Sequence, residues 1–174
     1  MCKTDNDSNI TKTSNEPSEK FIAIDADSIN TNLRQILIKT CYKTNIKFVF
    51  VADRILKDVE YANKNGINCQ MITVESGQDS ADNWIFDHSS SLLLCITHDV
   101  GLSTRLAENN ITSIDRWGKI TDKNNYREKQ SIRDLNTQMR EDGIIFNKQK
   151  PMSKKDIENF ANSVNNYINK YICT

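Results

Sequence analysis

The feature that most constrains this chain is a set of short, almost wholly apolar runs. They are "FIAID" from Phe21, "IKFVFVAD" from Ile46 to Asp53, "CQMITV" from Cys69 and "SLLLCIT" ending at Thr97. A strand with one wet face alternates apolar and polar residues; these runs do not alternate, so both faces must be covered. Segments with helical spacing lie between them. "TNLRQILIKTCYKTN" puts Leu33, Ile36, Leu37 and Cys41 on one face, and "RILKDVEYANKNG" reads as a shorter helix ending at Gly66. "DSADNWIFDHSS" opens with acidic and hydroxyl residues suited to a helix amino terminus, "DVGLSTRLAENN" is a further helix, and "ITSID" a short fifth strand. Doubly covered strands alternating with helices predict parallel βαβ units. The expected class is α/β, a Rossmannoid three-layer domain with a central, mostly parallel sheet of about four to five strands.

Beyond Gly118 the pattern changes. "NNYREKQSIRDLNTQMREDG" is a long polar amphipathic helix closed by Gly143, and "SKKDIENFANSVNNYINKY" is another, opened by Ser153; "IIFNKQKP" links them. Residues 1–20 hold almost nothing apolar, so burial there cannot offset ordering entropy, and a disordered leader is expected. Residues 21–174 are expected to form a single domain that includes both carboxyl-terminal helices.

With 37% hydrophobic residues, the chain can bury a core without disulfide or metal staples. Its five cysteines are odd in number and never spaced C-x-x-C, which argues against a disulfide framework and a structural zinc site. They read as reduced thiols, with Cys41 and Cys95 as small core residues, and the expected location is cytoplasmic. No apolar run is long enough to span a bilayer, and no signal peptide is evident, so no membrane partner is expected. The formal net charge of zero hides a gradient: residues 21–115 hold 8 Lys+Arg against 12 Asp+Glu, whereas residues 116–174 hold 12 against 7. An acidic body favours cations and a basic tail favours phosphates, although a solvated basic helix face would give the same tail.

In a doubly wound sheet, ligands bind beyond the carboxyl ends of the strands. Carboxylates cluster at those positions here. Asp25 and Asp27 end the first run, Asp53 the second, Asp79 and Asp82 open the helix after the third, Asp99 follows the fourth and Asp115 ends "ITSID". Asp79 and Asp82, three apart, share a helix face. If strands one, three and four are neighbours, Asp25 or Asp27, Asp79 or Asp82, and Asp99 converge, and carboxylates that close stay ionised only with a cation among them. The oxygen donors of Asp25, Asp27, Asp82 and Asp99 suit Mg²⁺ or Mn²⁺ and hydrolytic phosphoryl chemistry. Helix capping is the plainer account of Asp79 or Asp99 taken singly, but one cap does not require the Asp25/Asp27 pair. There is no G-x-G-x-x-G and no phosphate-binding P-loop. Of the two histidines, His88 reads as a surface or packing residue, and His98 beside Asp99 is a weak acid/base candidate.

Taken together, "IDADSI", "VESGQDSADNWI", "CITHDVGLS" and the spaced arginines of "YREKQSIRDLNTQMREDG" resemble the YaiI/YqxD family of bacterial proteins, itself similar to the PIN-like nuclease fold. The resemblance covers residues 21–172. It implies acids at the carboxyl edge of a parallel sheet and a metal-dependent nuclease activity, with RNA or another nucleic acid as partner. Asp25, Asp27, Asp79, Asp82 and Asp99 match the family's acidic positions, and Arg127, Arg133 and Arg140 its arginines; Arg127 and Arg133 are the expected phosphate-binding residues. The chain departs from the family in three places. Ser28-Ile29-Asn30 stands where A-C-P is usual, Val100-Gly101-Leu102 where I-P-L is usual, and Asp115-Arg116-Trp117-Gly118 where N-P-R-G is usual. Two alternatives stay open: a metal- or nucleic-acid-binding module without turnover, and a phosphatase resembling the haloacid dehalogenases, with Asp25 as nucleophile and Asp27 as acid/base.

Overall fold

A computed structural model describes residues 19–144 and 151–173. Nearly all of the expected leader, and residues 145–150 of the "IIFNKQKP" linker, lie outside the described residues.

The apolar runs become strands β1 (Phe21–Asp25), β2 (Phe48–Ala52), β3 (Cys69–Thr73) and β4 (Leu92–Ile96), followed by two-residue strands β5 (Ser113–Ile114) and β6 (Ile120–Thr121). The helices are α1 (Thr31–Thr44), α2 (Lys57–Lys64), α3 (Ser80–Asp87), α4 (Val100–Glu108), α5 (Tyr126–Glu141) and α6 (Lys154–Tyr171). Local chemistry sets several of the ends. The Asn30 side chain accepts from Leu33 N and opens α1, which Asn45 closes in the left-handed conformation. Ser153 and Asp156 form a reciprocal capping box at the start of α6.

The strand order is β3-β2-β1-β4-β5-β6, parallel except for the last pair. Six strands thus replace the four to five expected. The sixth is invisible to pattern reading because a two-residue ladder carries no periodicity. Its hairpin is held by Gly118 N donating to Asp115 O and Asp115 N donating to Lys119 O. Gly118 is obligatory there on two counts: its φ is +80°, and a Cβ would lie 2.7 Å from Asn159 O of α6.

Side chains alternate across the sheet, and the two sets find different helices. Ile22, Ile24, Phe48, Phe50, Leu94 and Ile96 pack with Leu33, Leu37, Val59, Phe160, Val164 and Ile168, so α1, α2 and α6 cover one face. Phe21, Ala23, Val49, Val51 and Cys95 pack with Ile85, Leu102 and Leu106, so α3 and α4 cover the other. This is a three-layer α/β domain. Helix α6 belongs to its core through Phe160, Val164 and Ile168, spaced four apart and each 0% exposed. Helix α5 instead lies outside the layers against α4 and buries none of its residues fully. Cys41, Cys69 and Cys95 are buried free thiols; burial pushes Cys41 up to about 12, consistent with a packing role. Among the described residues, no helix is long and apolar enough to cross a membrane.

Candidate functional site

The chain runs outward from β1 to β2 and β3 on one side, then returns to place β4 on the other, so the strand order reverses between β1 and β4. In open α/β sheets, the crevice at the carboxyl ends of such strands is the usual ligand site. Alternation along β1 sets the direction of its last residue: Phe21 and Ala23 face α3 and α4, and Asp25 shares their parity. Asp25 is only 6% exposed. Thr97 Oγ1, just past β4, donates to Asp25 Oδ2 at 2.9 Å and accepts from Asp99 N at 3.1 Å. Burial raises the Asp25 pKa; the hydroxyls of Thr97 and Ser28 oppose the rise, and Asp27 and Asp99 add to it.

The two acids of the Asp25-x-Asp27 pair part company immediately. Asp27 lies in a single 3-10 turn, Ala26–Ser28, and its exposed carboxylate pairs with Arg54 Nη1 at 2.8 Å. Arg54 also approaches Asp53 Oδ1 at 3.4 Å. A cation therefore already sits at the rim of this carboxylate set. It was legible as the residue following Asp53 at a strand end, yet reading the acids alone passed it over.

Asp79 and Asp82 do not arrive through strand adjacency as expected, because β3 is an edge strand two places from β1. They arrive through α3, which crosses back from that edge and packs on β2, β1 and α4. Asp79 stands at the amino end of α3 with φ 63° and makes no side-chain cap bond, so capping does not explain it. Asp82, one turn in, is partly buried, and its pKa is pushed up to about 7, first by burial and then by Asp99, Asp25 and Asp79; Arg105 opposes the rise. Arg105 lies over the Phe86 ring at 4.1 Å and reaches Asn83 Oδ1 at 3.5 Å. Asp99 does cap: its Oδ1 accepts from Leu102 N at 2.7 Å at the start of α4.

Asp25, Asp27, Asp53, Asp79 and Asp82 line one cleft of about 170 Å³, with Gly77 and Ser80 among its other walls. Among the described residues, no three His, Cys, Asp or Glu side chains are gathered closely enough to ligate one ion between them. The predicted acids are neighbours coupled by charge rather than a closed cage. That arrangement still fits Mg²⁺ or Mn²⁺, since Mg²⁺ commonly takes one or two carboxylates and keeps water in its remaining positions. Burial first, and the charges of the neighbouring carboxylates after it, raise both Asp25 and Asp82.

The two predicted arginines share a groove over α4, and only Arg133 also reaches the cavity on its far side. Arg127 is exposed, with Nε donating to Tyr126 Oη at 3.2 Å, and lines a shallow groove over α4 with Arg105 and Glu108. Arg133 reaches back over the first turn of α4: a Cβ on Gly101 would lie 3.0 Å from both Arg133 Nη1 and Asp99 Oδ1. Glycine at this point keeps the guanidinium near the end of β4. Among the described residues, neither arginine is ion-paired with Glu128, Asp134 or Glu141. His88 is a packing residue, stacked on Trp84 at 3.9 Å. His98 has its backbone N bonded to Ser28 Oγ at 3.1 Å, and burial lowers its pKa ahead of Arg116, against the pull of Asp115 and Asp99.

The departures at Ser28-Ile29-Asn30 are structurally occupied. Ser28 Oγ donates to the Asp25 carbonyl at 2.9 Å while receiving His98 N, tying the ends of β1 and β4 together, and Asn30 caps α1. The fold and the acidic cleft over the carboxyl ends of β1, β2 and β3 define a Rossmannoid α/β protein with a carboxylate-rich site at the carboxyl edge. By sequence, this chain belongs to the YaiI/YqxD family: the model of that family, described as "Uncharacterized BCR", matches residues 23–170. A UPF0178 protein of Ectopseudomonas mendocina is 31% identical over 147 residues, 84% of this chain and 95% of the relative. UPF0178 proteins of Legionella pneumophila (30% over 149 residues; 86% and 97%) and Psychromonas ingrahamii (29% over 149 residues; 86% and 95%) are similar along the same span. No solved structure matches the chain significantly.

Proposed function

We propose that this protein is a divalent-metal-dependent phosphodiesterase acting on nucleic acid, with RNA the foremost substrate. The observation that carries the reading is the cleft over the carboxyl ends of β1, β2 and β3, where five aspartates share one small volume and the Asp82 pKa is pushed up to about 7. One or two of Asp25, Asp27, Asp82 and Asp99 would hold Mg²⁺ or Mn²⁺, with water in the ion's remaining positions; when bound, such an ion polarises a phosphate oxygen and activates water for attack.

The chain's own residues do the rest. Thr97 fixes the orientation of Asp25. Asp82 lines the same cleft and, where it does not ligate the ion, would hydrogen-bond the attacking water. Arg54 anchors Asp27 at the mouth, and Arg133 supplies positive charge to the substrate backbone across Gly101. Arg127 takes a lesser part, meeting the strand further along α5.

The test is cleavage of end-labelled single-stranded RNA by the purified protein with Mg²⁺, Mn²⁺ or EDTA, alongside Asp25→Asn and Asp82→Asn. Metal-dependent release of fragments that both variants lose supports the proposal. Absence of cleavage under every condition, with metal binding unchanged in the variants by calorimetry, refutes it. Salt-sensitive RNA binding without cleavage would instead favour a binding module.

A further inference from the structure

A second and larger cavity, about 530 Å³, opens on the other side of the Thr97-His98-Asp99 segment, between the end of β4, the β5–β6 hairpin and α5. Its charge is opposite to that of the acidic cleft. Lys119, Lys129, Arg133 and Arg140 line it, and Asp115 is the carboxylate among its lining residues. Asp115 is already engaged, since its Oδ1 accepts from both Trp117 N and Lys119 N at 2.9 Å. Lys129 is partly buried, and its Nζ donates to a neutral partner, Thr121 Oγ1, at 2.6 Å. Burial lowers its pKa, which marks an ammonium stripped of water without full compensation by an anion. His98 Nδ1, in the same wall, is buried with no hydrogen-bond partner.

The cavity is too large for a bare anion and falls in the range of small-molecule sites. Its floor and rim are not uniformly charged. Ile132, 52% exposed on α5, offers an apolar wall, and the Asn136 carboxamide stands one helical turn further along. A ligand that fits this arrangement carries a phosphate at one end and a flat, hydrogen-bonding apolar body at the other.

We infer that this cavity binds a nucleoside monophosphate unit, its phosphate held by Lys129 and Arg133 and its base against Ile132 and Asn136. The unit is either a free nucleotide or the phosphorylated end of a strand. Thr97 faces both chambers, bonded to Asp25 on one side and lining the basic cavity on the other, so a strand end seated here leads toward the carboxylates. The inference deepens the phosphodiesterase reading and rests on it for that last step alone; the binding itself requires no metal.

The experiment is titration calorimetry in EDTA with AMP, adenosine and inorganic phosphate, and with tri-adenylate bearing or lacking a 5′-phosphate. AMP is expected to bind, with adenosine at least about tenfold weaker, as loss of charge-assisted hydrogen bonds requires. Lys129→Met and Arg133→Gln should each weaken AMP by about tenfold or more, the second from an exposed position where the fold is not at stake. Preference for phosphorylated tri-adenylate over AMP assigns the site to strand ends; the reverse assigns it to free nucleotides. Equal binding of AMP and adenosine, no AMP binding at millimolar concentration, or full AMP affinity in Arg133→Gln overturns the inference. AMP binding in a protein that cleaves no RNA would leave this site standing and remove the phosphodiesterase reading; cleavage without AMP binding would do the opposite.

Discussion

Asp82→Asn in metal-free protein separates a functional carboxylate from a structural one. Asp82 ionises near 7 when folded, because burial and the charges of Asp99, Asp25 and Asp79 outweigh the help of Arg105. An unfolded aspartate ionises near 3.9. The folded chain therefore binds more protons between roughly pH 4 and pH 7, so this group's contribution is fully present below about pH 4 and is lost as pH rises through 7. A difference of this size corresponds to about 4 kcal/mol above both pKa values, and screening at a partly exposed side chain reduces it to about 2 kcal/mol. Asparagine has the same shape without the charge. It should stabilise the protein by about 2 kcal/mol at pH 8, or roughly 4–8 °C in Tm for a chain of this length. At pH 5 the gain should fall below about 1 kcal/mol.

Urea unfolding followed by circular dichroism, in EDTA at pH 8 and pH 5, reads both quantities and avoids the fluorescence of Trp84, which lies on the same helix. Millimolar Mg²⁺ should then narrow the pH 8 gap, since the ion stabilises the wild type and finds less to hold in the variant. A variant that is destabilised at pH 8, or stabilised equally at both pH values, would show that the carboxylates are not coupled as described.

Thr97→Val keeps shape and removes the donor to Asp25, so it should cost about 1–3 kcal/mol by urea unfolding, more where Asp25 is ionised than in acid, because the bond favours the carboxylate; a pH-independent loss would argue for packing alone. Gly101→Ala should displace the Arg133 guanidinium, so AMP affinity falls in calorimetry. Its Cβ also crowds Asp99 Oδ1, the cap of α4, so the helix-propensity gain of up to about 1 kcal/mol should be offset in urea unfolding. Phe160→Ala should cost about 3–5 kcal/mol and Ser153→Ala about 1 kcal/mol; a truncated α6 that left the melting curve unchanged would contradict its place in the core.

How far the sequence could be read depended on where each residue's role is decided. The central strands are buried on both faces, which writes an unbroken apolar run into the chain, so β1, β2 and β4 were plain. The carboxylates at their tips were equally plain, because the strand end and the acid are adjacent in sequence. Relations that depend on which elements meet were not. The edge position of β3, and the route by which α3 carries Asp82 back toward β1, follow from the order of the sheet. Arg54 and Arg105 neutralise acids from other elements, and the basic cavity is assembled from β4, a hairpin and α5. Arg127 and Arg133 look alike on one helix, and only the packing of α5 on α4 sets Arg133 apart.

The charge gradient along the chain acquires a spatial meaning once the topology is known. The acidic first part of the chain ends its sheet at β5, and the basic remainder folds back as α5 onto α4, whose own amino end is capped by Asp99. Between acidic cleft and basic cavity runs the segment Thr97-His98-Asp99: the Thr97 hydroxyl donates to Asp25, the His98 amide to Ser28 Oγ, the Asp99 amide to Thr97 Oγ1 and the Thr97 amide to the Ile114 carbonyl. Such a divide keeps the two sets of charges from neutralising each other by direct pairing. A salt bridge between them would have been the easier outcome for stability alone, since each desolvated charge would gain a partner. Thr97, bonded to Asp25 on one side and lining the basic cavity on the other, and Gly101, against Asp99 and Arg133, keep the two chambers apart but adjacent.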